Sequence, residues 1–239
     1  MSLFRSQEAA LEVDDKNVVA SLRRVSKSYA GAIAVKDVSL EISRGTLAIL
    51  TGHSGSGKST LLAMLEGVVT PDTGEVVLFG NSLTGMNDAQ LKRIKQYGIG
   101  IGFQSANLDR GQTVADVIKQ TANANNVRVD NRRVVELAAR FNMLTQLGAQ
   151  AGSLSGGQQM RVSLMRALAT RPELILLDEP IGAIEAKGKA EALGFLREIV
   201  DEEQATVVMI THDPDIAREY VDIEYVLEGG ELVDTLVHV

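Results

Sequence analysis

Nine residues of the chain have the types and spacing of a phosphate-binding loop. They are Gly52-His53-Ser54-Gly55-Ser56-Gly57-Lys58-Ser59-Thr60, which fit the pattern G-x-x-x-x-G-K-[ST]. The three glycines allow a tight turn whose backbone N–H groups come close to phosphate oxygens, because glycine has no Cβ. Lys58 is placed to reach the β- and γ-phosphates, and the Ser59 hydroxyl is placed to ligate Mg²⁺. The loop therefore predicts nucleotide binding; the alternative is a glycine-rich turn that matches by accident.

Two adjacent carboxylates, Asp178 and Glu179, follow a second apolar run, Leu174-Ile175-Leu176-Leu177. In phosphate-loop enzymes an Asp at such a strand end holds Mg²⁺, and a neighbouring acid can orient or deprotonate the attacking water. The alternative is that the pair only ends the strand and begins the next helix. The phosphate-binding loop upstream favours the catalytic interpretation, because buried carboxylates need a charged partner.

A third candidate site is the pentad Leu154-Ser155-Gly156-Gly157-Gln158, which opens a helix running to about residue 168. Ser155 is a natural N-cap, and the two glycines leave helix N–H groups bare for an anion. The alternative is a capped helix with no ligand. The residues alone indicate a second phosphate-binding helix end.

The elements that must position these residues alternate between buried strands and helices. Continuous apolar runs are typical of strands buried on both faces, so we expect a parallel sheet covered on both sides. Residues 113–170 lack strand signals, and we expect a helical subdomain, over about 106–170, inserted into a domain that spans 17–239. Residues 1–16 are expected to form a flexible lead. The expected strands are 18–25, 32–42, 47–50, 75–79, 98–103, 174–177, 206–210 and 223–227, and further helices are expected at 61–65, at 187–200 and from a cap at Asn87 through residue 95.

Composition excludes several classes of protein. Apolar residues make up 45% and charged residues 23% of the 239 positions, as in ordinary globular proteins. The net charge of −7 argues against nucleic acid as a partner. The absence of cysteine excludes disulfides, thiol catalysis and cysteine-ligated metal. No secretory signal and no apolar run of 18 residues are present, so we expect a cytoplasmic protein without direct membrane insertion.

The loop, the pentad and the acid-ended strand, in this order, resemble the ATP-binding cassette (ABC) ATPase family, whose signature motif is Leu-Ser-Gly-Gly-Gln. The resemblance covers residues 18 to 233 and implies ATP and Mg²⁺ as ligands. It also implies an α/β fold with a phosphate-loop NTPase core and a mainly parallel sheet. An N-terminal antiparallel β subdomain and the inserted helical subdomain would complete it.

The resemblance assigns three further residues, each of which would have an ordinary structural interpretation without it. Tyr29 is expected to stack on adenine, Gln104 to contact Mg²⁺ or water and sense a membrane partner, and His212 to contact the γ-phosphate. The expected catalytic residues are Lys58, Gln104, Glu179 and His212; the metal ligands are Ser59, Gln104 and Asp178; the nucleotide contacts are Tyr29, residues 52–60, Ser155, Gly156, Gly157 and Gln158.

By the same resemblance, two cassettes pair head to tail, and a homodimer is expected. Each ATP would lie between the phosphate-binding loop of one chain and the signature motif of the other. The pair would energise a separate integral membrane permease from the inner face of the cell membrane, with residues 105–108 as a contact segment. The chain looks most like the lipoprotein-release and macrolide-efflux branch, an export or mechanotransmission type, although Asp109-Arg110-Gly111-Gln112 departs from the Leu-Pro-containing stretch usual there.

Three alternatives remain beside this interpretation. The first is an importer cassette for a small solute, and the second is a non-transport ABC ATPase such as a cell-division type. The third, a generic phosphate-loop kinase or GTPase, conflicts with the signature pentad and with the lack of an Asn-Lys-x-Asp sequence.

One motif departs from the family pattern. Gly182-Ala183-Ile184-Glu185 stands where the family usually has Ser-Ala-Leu-Asp, the segment that touches the partner cassette. Glu is one methylene longer than Asp, so we expect the coupling between the two sites to differ. Because Ser155, Glu179 and His212 are all present, we expect an active ATPase.

Overall fold

Two β-sheets and the helices around them form the fold of the computed structural model, which describes residues 17–102, 108–124, 129–182 and 186–238. The strands are β1 (Val18–Tyr29), β2 (Ala32–Ser43), β3 (Leu47–Thr51), β4 (Thr73–Leu78), β5 (Asn81–Ser82), β6 (Ile99–Gly102), β7 (Leu174–Asp178), β8 (Thr206–Ile210), β9 (Ile223–Glu228) and β10 (Glu231–Val237). The α-helices are α1 (Lys58–Leu65), α2 (Asp88–Gly98), α3 (Val114–Ala124), α4 (Asn131–Arg140), α5 (Gly156–Leu168), α6 (Ala186–Glu203) and α7 (Pro214–Ala217).

The first sheet is antiparallel, with strand order β2-β1-β4-β5. Its long hairpin turns at Ala30 and Gly31, whose φ angles of 48° and 87° are both positive. Such a two-residue connection matches the right-handed twist of the strands that flank it. The expected N-terminal antiparallel β subdomain is therefore confirmed.

The second sheet carries the expected buried strands in the order β10-β9-β3-β8-β7-β6. Its strands from β9 to β6 are parallel, and β10 adds an antiparallel edge. Side chains of β3 alternate between two cores: Leu47 and Ile49 pack with α6, while Ala48 and Leu50 pack with α1 and the first sheet. This alternation with period 2 is what a strand covered on both faces requires. The expectation of a mainly parallel sheet is confirmed.

Several element boundaries differ from the sequence prediction, and the structure also has β5, α7 and β10, which were not predicted. Gly98, expected to begin a strand, is the last residue of α2, and a Cβ there would lie 2.5 Å from the Phe79 ring. The helix can therefore close against that ring only with glycine. Strand β10 was not predicted, because it is an exposed edge strand of mixed polar and apolar residues with no buried apolar run.

The helical pattern predicted between residues 113 and 170 is present as α3, α4 and α5, with short 3₁₀ turns at Leu144–Gln146 and Ala151–Ser153. Helix α5 packs so closely on β6 that a Cβ on Gly100 would lie 2.2 Å from the Ala167 carbonyl oxygen. Asn87 caps α2 as predicted, by accepting a hydrogen bond from the Gln90 backbone N–H at 3.0 Å. Among the described residues, every helix is either too short or too polar to cross a bilayer.

Candidate nucleotide-binding site

The phosphate-binding loop connects the end of β3 to the start of α1, as the sequence predicted. Gly52, Gly55 and Gly57 have φ angles of 133°, 79° and 103°, which side chains rarely adopt. A Cβ on Gly52 would lie 2.1 Å from the Leu227 carbonyl oxygen, and a Cβ on Gly57 would lie 2.5 Å from the Ala34 carbonyl oxygen. All three glycines are thus required by the turn, and Gly52 and Gly57 are required also by the backbone packed against them.

Helix α1 begins at this loop without a side-chain cap, since its N-cap is Gly57. Uncapped N–H groups at a helix N-terminus form a site for anions. A cavity of about 210 Å³ lies in front of them, lined by Ala34 and by residues 55–60. Ala34, from β2, was missed by sequence reasoning, because an alanine in a strand carries no signal for a site.

Lys58 folds back onto the loop that precedes it. Its Nζ donates hydrogen bonds to the carbonyl oxygens of Gly52 and His53 at 2.8 and 2.9 Å, and to the Ser56 hydroxyl at 3.3 Å. Burial lowers the pKa of Lys58, an effect opposed by the nearby negative charges of Glu179 and Asp178. The ammonium group is therefore held at the loop by the backbone, close to the two acids at the end of β7.

Asp178 and Glu179 stand at the carboxyl end of β7, next to β8. The Glu179 backbone N–H donates to the Ile210 carbonyl at 3.1 Å, and Glu179 itself has a positive φ of 50°. Burial raises the pKa of Asp178, and the adjacent Glu179 raises it further. A carboxyl group that is costly to ionise in this way is suited to a cation as partner.

His212 follows β8 and reaches across to the same acids. Its Nε2 lies 2.5 Å from Oε1 of Glu179, and its side chain is 52% exposed. The structure thus brings Lys58, Asp178, Glu179 and His212 together at the carboxyl edge of the parallel sheet, where ligands of such sheets bind.

The family of this chain follows from its sequence profile, since the profile of the ABC transporter family matches residues 35–182. The chain belongs to the ABC transporter family. The similar proteins include the sulfate/thiosulfate import ATP-binding protein CysA of Thermosynechococcus vestitus, 40% identical over 215 residues that cover 89% of this chain and 62% of that protein. They also include the methionine import ATP-binding protein MetN of Cutibacterium acnes, 31% identical over 98% of this chain and 65% of that protein.

Solved ABC cassettes match along nearly their whole length. The dimeric structure of MJ0796, a bacterial ABC transporter cassette, is 30% identical, with a TM-score of 0.85 over 92% of this chain and 99% of that one.

The relatives found by sequence differ in how much of their length the chain covers. The ABC transporter ATP-binding protein YtrE of Bacillus subtilis is 34% identical over 84% of this chain and 89% of that protein. By contrast, the chain spans only 62% to 65% of the CysA and MetN sequences named above. It is an ATP-binding cassette, with the α/β fold expected of one.

The lipoprotein-release and macrolide-efflux branch, expected from the sequence, is not what these names favour, because CysA and MetN are named as import proteins. That expectation rested in part on residues 105–108, of which residues 105–107 lie outside the described residues.

The signature residues of the cassette form a helix cap. Ser155 Oγ accepts the Gln158 backbone N–H at 3.4 Å, and the Gln158 side chain accepts the Ser155 N–H at 3.0 Å. A Cβ on Gly156 or Gly157 would meet nothing within 4 Å. These residues do not line the cavity at the phosphate-binding loop.

Tyr29 ends β1 at the hairpin turn and is 47% exposed. The Lys27 Nζ lies 5.8 Å from the centre of its ring, and it also pairs with Asp72 at 2.8 Å. Tyr29 does not line the loop cavity either, so its contact with adenine stays a prediction. Gln104, the 105–108 contact segment up to residue 107, and residues 183–185 of the departing motif lie outside the described residues.

The expected metal ligands Ser59 and Asp178 are compatible with Mg²⁺. Ser59 lines the loop cavity, and Asp178 carries the raised pKa described above. Among the described residues, no three His, Cys, Asp or Glu side chains cluster as a self-sufficient metal site.

Proposed function

We propose that this cassette binds and hydrolyses ATP and thereby energises a membrane transporter. One observation carries the proposal: four charged or titratable side chains lie together beside the phosphate-binding loop, whose backbone angles require glycine. They are Lys58, Asp178, Glu179 and His212. Phosphoryl transfer depends mainly on positioning and electrostatic stabilisation, and these residues can supply both.

Each residue has a task that follows from its place. The loop N–H groups and the start of α1 bind phosphate oxygens, and Lys58 exchanges its carbonyl partners for them. Glu179 accepts a proton from the attacking water or orients it, and His212 holds Glu179 in place and faces the γ-phosphate. Ser59 and Asp178 would hold Mg²⁺, which when bound neutralises phosphate charge.

The signature helix supports a second proposal, that two chains close around ATP. A Cβ on Gly156 or Gly157 would face open space, so no contact with the part of the chain that the structure describes requires glycine at either position. A requirement for close approach from outside explains them, and the helix N-terminus there is suited to a phosphate group. The similar MJ0796 cassette has been solved as a dimer.

For the direction of transport, the names of the relatives support an importer over the exporter expected from the sequence, since CysA and MetN are import proteins. In this proposal the cassette pair lies on the inner face of the cell membrane, bound to a separate permease. An anion or a small solute is the class of substrate to test first.

Release of inorganic phosphate from ATP with Mg²⁺ tests the hydrolytic proposal. Glu179→Gln should reduce turnover by at least about a hundredfold, as expected when a positioned general base is lost. Glu173→Gln is the matched control: Glu173 stands immediately before the opposite end of β7 and pairs with Arg44 on the surface. Equal activity in the two variants would remove Glu179 from its role.

The transport proposal is tested by purifying the Glu179→Gln protein with ATP from detergent-solubilised membranes. A stoichiometric multi-span partner is expected, and the wild-type cassette reconstituted with that partner in vesicles should take up substrate, whereas the Glu179→Gln cassette should not. Recovery of the cassette alone would contradict a transport role.

A further inference from the structure

A charged side chain, Glu224, lies in the interior directly behind the phosphate-binding loop. It is 1% exposed and stands in β9, opposite Ile49 of β3. Its Oε1 accepts a hydrogen bond from the Thr51 hydroxyl at 2.8 Å, and its Oε2 accepts one from Arg218 Nε at 2.8 Å. The carboxylate therefore joins Thr51 and Arg218, which are far apart in the sequence.

The Thr51 side of this contact is the entry to the loop. Thr51 is the last residue of β3, is buried, and directly precedes Gly52. Strand β9 touches the entry a second time, because the Leu227 carbonyl oxygen lies 2.1 Å from where a Gly52 Cβ would be. The start of the loop is thus fixed by β9 through one backbone contact and one side-chain contact.

The Arg218 side is the segment that follows His212. Arg218 is the C-cap of α7, which begins two residues after His212. It donates to Glu224 through Nε and through Nη2, the latter at 3.2 Å, and to Asp215 at 2.8 Å. One carboxylate therefore holds both the loop entry and the segment that carries the histidine.

The buried negative charge of Glu224 is not explained by a gain in stability of the fold. Arg218 lowers the pKa of Glu224, and the Thr51 hydroxyl lowers it further, so the side chain is ionised. His238 Nε2, at the end of β10, lies 3.5 Å from its Oε2. The Arg218 side chain is 41% exposed while Glu224 is buried, so the pair contributes little net stability, whereas its hydrogen-bond geometry is specific.

We propose that Glu224 is a positioning residue for the ATP site, which fixes the phosphate-binding loop through Thr51 and the His212 segment through Arg218. The inference rests on the proposed ATPase function and extends it. It predicts that a substitution of Arg218 changes how the loop binds nucleotide. Arg218 itself caps α7 and bonds to Glu224 and Asp215 rather than to the loop.

The experiment measures the dissociation constant of a fluorescent ATP analogue, together with kcat and KM for ATP. Arg218→Met should weaken binding by about fivefold to tenfold, the size of an indirect coupling through a packed network. Thr51→Val should have a similar effect, and Thr51→Ser should restore binding because it keeps the hydroxyl. Combining Thr51→Val with Arg218→Met should weaken binding no further than the stronger single variant, since both act through Glu224.

Arg197→Met is the matched control. Arg197 pairs with Asp222 at 2.8 Å, and Asp222 accepts the Leu47 backbone N–H, at the end of β3 that is remote from the loop. The control loses a comparable arginine–carboxylate pair and should lose comparable stability in urea. Its ATP affinity should stay within about twofold of the wild type, as for distant, independent sites.

The inference is overturned if Arg218→Met and Thr51→Val bind the analogue as tightly as Arg197→Met does. It is also overturned if Thr51→Ser fails to restore binding, because the hydroxyl contact would then not be the cause. A wild-type chain that binds no ATP analogue refutes the proposed function itself, which distinguishes that failure from a failure of the positioning role.

Discussion

Replacing Gly52 by alanine gives a direct measure of how tightly the fold constrains the phosphate-binding loop. Two costs add at this position. A φ of 133° is a strained conformation for a side chain, worth roughly 1–3 kcal/mol, and the new Cβ would lie 2.1 Å from the Leu227 carbonyl oxygen. Relieving that contact displaces β9 or the loop, an overpacking cost of about 1–3 kcal/mol. Gly52→Ala should therefore lower the free energy of unfolding by about 2–6 kcal/mol.

Gly55→Ala separates the two costs. Gly55 also has a positive φ, of 79°, but a Cβ there meets nothing within 4 Å. Only the conformational cost remains, about 1–2 kcal/mol. Urea denaturation of both variants without nucleotide should therefore show Gly52→Ala as the less stable by about 1–3 kcal/mol. Equal midpoints and slopes would refute the claim that β9 constrains the loop entry.

Three further variants test the residues around the loop. Lys58→Ala should weaken binding of a fluorescent ATP analogue by about tenfold to a hundredfold, the loss expected for a charge-assisted hydrogen bond, and unchanged affinity would count against the loop assignment. Asp178→Asn should unfold at higher urea than the wild type at neutral pH, because burial raises the pKa of Asp178 and disfavours its ionised form in the folded state. The difference in stability between the variant and the wild type should shrink as the pH falls through the raised pKa, because the wild-type carboxyl then becomes neutral too. A difference that grows at low pH would contradict burial as the cause of the raised pKa. Ser155→Ala should lower the free energy of unfolding, measured in urea, by about 1 kcal/mol, because it removes the cap of α5. It should also weaken the ATP-dependent pairing of chains in sedimentation experiments. If Ser155 were only a helix cap, that pairing would be unchanged.

The core strands and the loop were predictable because their signals are local and strong. Continuous apolar runs identify β3, β7 and β8, which are buried on both faces. The motif at residues 52–60 needs glycines that the observed φ angles and contacts explain. Ser155 and Asn87 were recognisable as caps because each is followed three residues later by a glutamine, as in a capping box.

What the sequence could not provide depends on contacts between distant segments. The bond between His212 and Glu179, and the place of Ala34 in the loop cavity, arise only when the strands are side by side. Glu224 does interrupt the apolar run of β9, which is a visible signal, but its partners Thr51 and Arg218 cannot be read from it. For the transport branch, the names CysA and MetN favour the importer that was an alternative in the sequence analysis over the export type that was expected first.

The measurement that tests the central claim most directly is sedimentation velocity of the Glu179→Gln chain with and without ATP and Mg²⁺. If two cassettes close around ATP at the loop and the signature helix, the variant should sediment as a monomer without ATP and as a dimer with it. Adding Lys58→Ala to the same chain should abolish the dimer, because the loop would no longer hold the nucleotide. A chain that stays monomeric in ATP, or that dimerises equally with and without it, would contradict the account.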